Sequence, residues 1–335
     1  MRDRQTREYL LRRGLRLTPG YDQFDCLESR SDMECLLNVL SLHNDAHRRP
    51  AVFTINAVLG NPDFRQIRKN GYRYFAHERL FHSYERYRGE CLRSIWAEGS
   101  DADLIRPQFH AREHLNVGLW LRDLRSGQKE ARLAFDHDYY GLITRTSSAR
   151  QRNYLAAYWP ESNGHFKEIQ NILRDGLAMF QEIFGYRSRS FVPCNYVFPK
   201  DLEAIIAREG VELIQGQRGQ LCPSSDGTTT SIRRCYTGKI SGFDQIYSIR
   251  NVRFEPFEDQ LKDWVNDALG EIESAFFWGK PAIICTHRVN YVGGMDLSHR
   301  DRNLKLLDEL LRKILLNWPD VRFISSDELI DVMAN

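Results

Sequence analysis

No run of roughly 18 apolar residues occurs in the chain, which argues against a membrane-spanning helix. Nor does an apolar stretch follow Met1. Alternating charges stand there instead, so no secretory signal is expected and the cytoplasm is the default location. An excess of charge of either sign is also lacking. The 47 Lys and Arg against 45 Asp and Glu leave a formal charge of only +2. Nothing in that balance asks for nucleic acid or an acidic membrane as a partner. The locally basic start (Arg2, Arg4, Arg7, Arg12, Arg13, Arg16) reads as a solvated helix face. Cysteine pairs at CxxC or CxxxC spacing are missing too. The seven cysteines (Cys26, Cys35, Cys91, Cys194, Cys222, Cys235, Cys285) are odd in number and scattered. That pattern fits reduced thiols better than a disulfide framework or a zinc–cysteine site.

What is present is an ordinary globular mix, 42% hydrophobic and 27% charged over 335 residues. The length suits one large α/β domain or two ordinary ones. Strand-like and helix-like segments alternate throughout. Residues 51–58 form a β-rich apolar run between Pro50 and the Gly60-Asn61-Pro62 break. Further strands are predicted at 104–109, 190–193, 212–215, 282–286 and 321–324. Helices are predicted at 6–13, 78–98, 116–124, 168–184, 202–209, 261–277 and 304–316, with a capped final helix after Ser325. Residues 125–165 read as a loop-rich excursion. The alternation predicts a single domain, 1–335, with a mostly parallel sheet and helices outside it, open or closed into a barrel.

In such folds, chemistry collects at the C-terminal ends of strands. Three groups fall there. His110-Ala111-Arg112-Glu113-His114 follows a predicted strand, and two histidines four apart on one helical face can bind one metal ion. Satisfied surface histidines at a helix start are the alternative. His287, in Thr286-His287-Arg288, ends another strand and suits a general acid; a histidine held by a nearby backbone group is the bland counterpart. Pro193-Cys194-Asn195-Tyr196 follows a third strand, where Cys194 reads as a half-buried thiol rather than a nucleophile. Asp136-His137-Asp138 is a minor metal candidate in the excursion.

Taken in order, these segments resemble the polysaccharide deacetylases (NodB-like, carbohydrate esterase family 4). The likeness spans nearly the whole chain and includes the phrases NPDF at Asn61–Phe64, REHLN at Arg112–Asn116 and HRVNY at His287–Tyr291. It implies a distorted parallel (β/α) barrel and a divalent metal, zinc by choice, on His110 and His114. It also implies His287 as catalytic acid, and Asn195, Tyr196, Arg112 and Asn56 lining a carbohydrate groove. The implied reaction removes an acyl group from an amino sugar or glycan precursor. Three features depart from the family pattern. No Asp-Asp pair occurs in the chain, Phe191 stands where the family has an arginine, and Ala111 follows the first histidine. With residues 51–58 taken as the second strand, the first is expected to precede Met1, leaving the barrel incomplete at its N-terminus. Two other classes stay open. A glycosidase on the same fold would need paired carboxylates, for which Asp136, Asp138 and Glu255 are the candidates. A non-catalytic carbohydrate-binding protein would use the aromatics of residues 72–96.

Overall fold

The computed structural model describes residues 3–17, 20–143 and 153–334. Five parallel strands make the central sheet in the order β1 (Phe53–Val58), β2 (Ile105–Ala111), β3 (Ser190–Phe191), β4 (Leu213–Gly216) and β5 (Ile246–Ile249). Each successive pair is joined through intervening helix or loop, as parallel pairing requires. β6 (Val252–Arg253) and β7 (Ile284–Cys285) pair with each other, again in parallel, outside the five-stranded sheet. The predicted alternating α/β architecture with a mostly parallel sheet is therefore present. Among the described residues, 321–324 are not a ladder strand. Phe323 N–H donates instead to Asp45 Oδ2 at 3.1 Å, and just beyond the segment Ser326 N–H donates to Thr54 Oγ1 of β1 at 2.8 Å.

The period of two in β2 separates two environments. Phe109 faces out and is fully buried beneath the long helix Asn163–Phe184. A Cβ on Gly176 of that helix would lie 2.9 Å from the Phe109 ring, so glycine sets how closely helix and sheet approach. The amphipathic pattern of the helix buries Ile169, Leu173, Leu177 and Phe180 in the same core.

The opposite face is layered. At the N-terminal ends of the strands, Leu213 and Ile246 pack against Leu329 and Ile330 of the final helix, Glu328–Ala334. Arg106 donates to Asp327 beside them at 2.8 Å. The middle layer is polar. Gln215 Nε2 donates to Asn56 Oδ1 and to Ser190 Oγ, each at 3.3 Å, and Ser190 meets Ser326 at 2.6 Å. Gln108 is register partner to Asn56. His110, next along this face, ends the series at the C-terminal end.

Local departures from the sequence expectation have simple causes. The helix expected over 78–98 is two, Leu80–Arg88 and Arg93–Asp101, because Gly89 adopts a left-handed conformation (φ 70°) and terminates the first. The excursion contains a helix, Lys129–Phe135, capped by Gln128. Part of that excursion lies outside the described residues. Tyr84, Phe81 and Trp96 of the aromatic stretch are core, whereas Tyr74 is exposed.

Candidate functional site

His110 is aimed by a bulge. β1 and β2 run in register from Phe53/Ile105 to Ala57/Phe109, then Val58 pairs with Ala111 and passes over His110. The extra residue bends the strand at its C-terminal end, a common device for directing a side chain. His110 Nδ1 donates to the Val192 carbonyl at 2.6 Å, which fixes the tautomer and leaves a lone pair on Nε2. The two histidines do not share a helical face, contrary to the sequence expectation. His110 is still in the strand, and His114 lies in the turn before the helix Val117–Arg125, whose cap is Asn116. A strand followed by a tight turn nonetheless brings the rings to 4.9 Å. His114 Nδ1 is buried without a hydrogen-bond partner.

Cys194 supplies a third donor. It follows β3 and Pro193 in a short turn where Asn195 and Tyr196 both take left-handed backbone angles (φ 54° and 55°). Two such residues in succession are strained by about 1–2 kcal/mol each, a cost concentrated at functional sites. The thiol is fully buried rather than half-buried, with Sγ 4.0 Å from His110 Nε2. Donor atoms of His110, His114 and Cys194 all lie within 4.8 Å of one another. All 45 Asp and Glu belong to the described residues, yet none joins this cluster.

Burial pulls the pKa of His110 well below its ordinary value, with the charges of His114, Arg250 and His287 adding to it. Burial likewise brings His114 down to about 4, and His287 again contributes. Both rings are therefore neutral near neutral pH, the form that binds metal. Burial pushes the Cys194 thiol up, and Glu113 adds to this. A cation in the cluster would reverse that shift.

His287 is held by a buried carboxylate. Its Nδ1 meets Glu255 Oε1 at 2.5 Å, and Glu255 is only 2% exposed. Glu255 Oε2 accepts from Asn290 Nδ2 at 2.8 Å, and the Cys285 thiol approaches Oε1 at 3.8 Å. Tyr21 meets the His287 ring edge-on at 5.8 Å. Nδ1 is thus committed, Nε2 faces away from the carboxylate, and the side chain stays 41% exposed. This is the geometry of an oriented proton carrier.

The remaining sequence candidates have diverse surroundings. Tyr196 OH accepts from Arg250. Asn195 Nδ2 donates to Asn153 Oδ1 at 3.2 Å. Asn56 belongs to the polar middle layer. Arg112 turns away, ion-paired with Glu113 at 2.6 Å and Asp175 at 2.8 Å, and its stem lies against Gly176. Asp136 pairs with Arg68 at 2.8 Å, and His137 Nδ1 meets the Leu133 carbonyl while its ring stacks on Tyr9, so this triplet forms no metal cluster among the described residues. Asp138 lines a surface hollow with Phe64, Arg65, Arg68, Arg86 and Tyr87 that holds none of the clustered histidines. Sequence reasoning set Cys194 aside, missed Arg250, and gave Glu255 no partner. Each depends on strands distant in sequence, so no local spacing announces it.

No family model matches the chain. No curated protein matches it either. Among solved structures, the chain is similar to one described as "putative polysaccharide deacetylase from Mycobacterium smegmatis". The identity is 10%, the TM-score is 0.42, and the match covers 90% of this chain and 77% of that one; a likeness that remote carries no argument about function.

Proposed function

We propose that the chain is a metal-dependent hydrolase that removes an acyl group from an amino sugar or glycan precursor, as polysaccharide deacetylases do. The observation that supports this best is the convergence of two neutral imidazoles and a thiol in a cluster within electrostatic reach of an oriented His287–Glu255 pair. The donor set fits a divalent cation. The His110 Nε2 lone pair meets only the Cys194 thiol, the His114 Nδ1 has no hydrogen-bond partner, and the nitrogen and sulfur mixture favours zinc over hard ions. His110, His114 and Cys194 would hold it, and a cation there would polarise a carbonyl and acidify water.

The chain's own residues do the rest. His287 takes a proton from the attacking water at Nε2 while Glu255 on Nδ1 stabilises the imidazolium. It then returns that proton to the departing nitrogen or oxygen of the sugar. One histidine in both roles offsets the missing Asp-Asp pair. Asn195 and Tyr196, held by their turn, line the sugar side. The glycosidase alternative is less favoured, because Glu255 is committed to His287 and Asn290, Asp136 to Arg68, and Asp138 lines a surface hollow that holds none of the clustered histidines.

The test is acetate release from N-acetylated amino sugars and their oligomers. Activity should vanish on chelation, return with zinc, and be lost in His287→Ala with metal content intact. Turnover that survives chelation would reject the reading.

A further inference from the structure

Arg250, just past the end of β5, is a cation without a counter-ion among the described residues. Its Nη2 donates to Tyr196 OH, and its guanidinium lies 5.0 Å from that ring's centre. Its Nε is buried and has no partner. Among the described residues it makes no ion pair with any carboxylate. The undescribed stretches cannot supply an acidic side chain, since every Asp and Glu of the chain is described. Glu255 acts on it only at a distance, its own oxygens being taken by His287 and Asn290. Neighbouring arginines behave otherwise: Arg288 is shared by Asp25 and Glu28, and Arg233 by Glu203. An unpaired, largely desolvated guanidinium is costly, and its planar donor fork matches a compact oxyanion. Its position is also telling, because Tyr196, to which it donates, lies in the short turn that carries Cys194 of the metal cluster.

We infer that Arg250 is a specificity-determining residue that binds a carboxylate or phosphate on the substrate. The sugar taken by this site is therefore acidic. This rests on the carbohydrate reading of the site. Among the described residues the Arg250 cation is left free of any carboxylate.

The experiment measures equilibrium binding to the whole, metal-free protein by calorimetry. Four probes are compared: N-acetylglucosamine, its 6-phosphate, N-acetylglucosaminuronate and inorganic phosphate. The wild type should bind at least one acidic sugar roughly tenfold or more tightly than the neutral one, since one charge-assisted bidentate contact is worth about 1.5–3 kcal/mol. The phosphate and uronate arms show which anion is used. Arg250→Gln should abolish that advantage, bringing the affinity for the acidic sugars to that for the neutral sugar measured on the same variant. Arg250→Lys should restore part of it, which controls for a folding defect. Equal affinity for neutral and acidic sugars in the wild type, or an advantage that survives Arg250→Gln, would overturn the inference. Inorganic phosphate bound as tightly as the acidic sugars would overturn it as well, by showing a bare anion site. Because no turnover is read, acidic-sugar binding without hydrolysis would sink the proposed reaction and leave this inference standing.

Discussion

Glu255 is the residue through which structure and chemistry can be separated by substitution. Replacing it with leucine removes the acceptor for three donors. The losses are unequal. Asn290 is fully buried, yet its Nδ2 keeps two other acceptors, Thr286 Oγ1 at 3.2 Å and the His287 carbonyl at 3.1 Å. His287 is 41% exposed, so water can replace the carboxylate at Nδ1. The Cys285 contact, at 3.8 Å, is weak. Breaking a buried charged pair usually costs about 3–5 kcal/mol. Here the surviving partners, and the relief of no longer burying a carboxylate, reduce the expected cost of Glu255→Leu to about 1–3 kcal/mol. Glu255→Gln keeps one oxygen and should cost about 1 kcal/mol. Urea denaturation of metal-free protein measures both through the midpoint at constant slope. Both variants should retain the metal cluster, which lies on other strands. In Glu255→Leu, the His287 ring should lose its fixed tautomer, visible in nitrogen–proton NMR of the imidazole, whereas the amide oxygen of Glu255→Gln can still accept from Nδ1–H. A Glu255→Leu protein of wild-type stability with an unchanged imidazole signature would refute the assignment of Glu255 as the anchor of His287.

Two further predictions concern the scaffold. Gly176→Ala should destabilise the protein by about 1 kcal/mol despite alanine's better helix propensity of about 1 kcal/mol, because overpacking costs about 1–3 kcal/mol and the new methyl meets the Phe109 ring and Arg112 Cβ at 2.9 Å; a stabilised variant by thermal melting would show that helix and sheet are loosely packed. Asp45 is buried, which alone would raise its pKa, but backbone N–H groups of His47, Arg49 and Phe323 at 2.8–3.1 Å outweigh burial and hold it below the usual carboxylate value. A depressed carboxylate stabilises above its unfolded pKa of about 3.9 and loses that contribution as pH falls through the lower folded value. Urea midpoints should therefore drop below about pH 4 in the wild type and fall less steeply in Asp45→Asn; equal slopes would show that Asp45 does not contribute.

The α/β alternation was legible because it rests on local periodicity. The amphipathic helix ending at Phe184 and the apolar strand from Phe53 follow directly from the spacing of their side chains. The break at Gly89 was missed because a single glycine inside a periodic stretch does not say whether it will take a left-handed angle. Residues 321–324 carry a strand-like pattern, yet become an irregular segment tied to the Asp45 side chain through Phe323, with Ser326 just beyond it bonded to Thr54. For the site, His110 and His114 could be seen as a pair, but a helical spacing rule was the wrong reason. The bulge opposite Val58 is what aims His110, and a bulge depends on two strands at once. Cys194, Arg250 and Glu255 enter the site only through sheet order, which places strands separated by many residues side by side. Strain at Asn195 and Tyr196 has no sequence signal either, since neither residue is glycine.

The central claim is that His110, His114 and Cys194 hold one divalent ion, and cobalt substitution tests it most directly. Stoichiometric binding should give a thiolate-to-cobalt charge-transfer band in the near ultraviolet. Cys194→Ser should lose that band and weaken zinc by at least about a hundredfold, since partners beyond the ligands alone are worth roughly 10–100-fold. His110→Ala combined with His114→Ala should abolish binding. Cobalt bound with no thiolate band, or stoichiometric zinc that survives the double histidine substitution, would contradict the account.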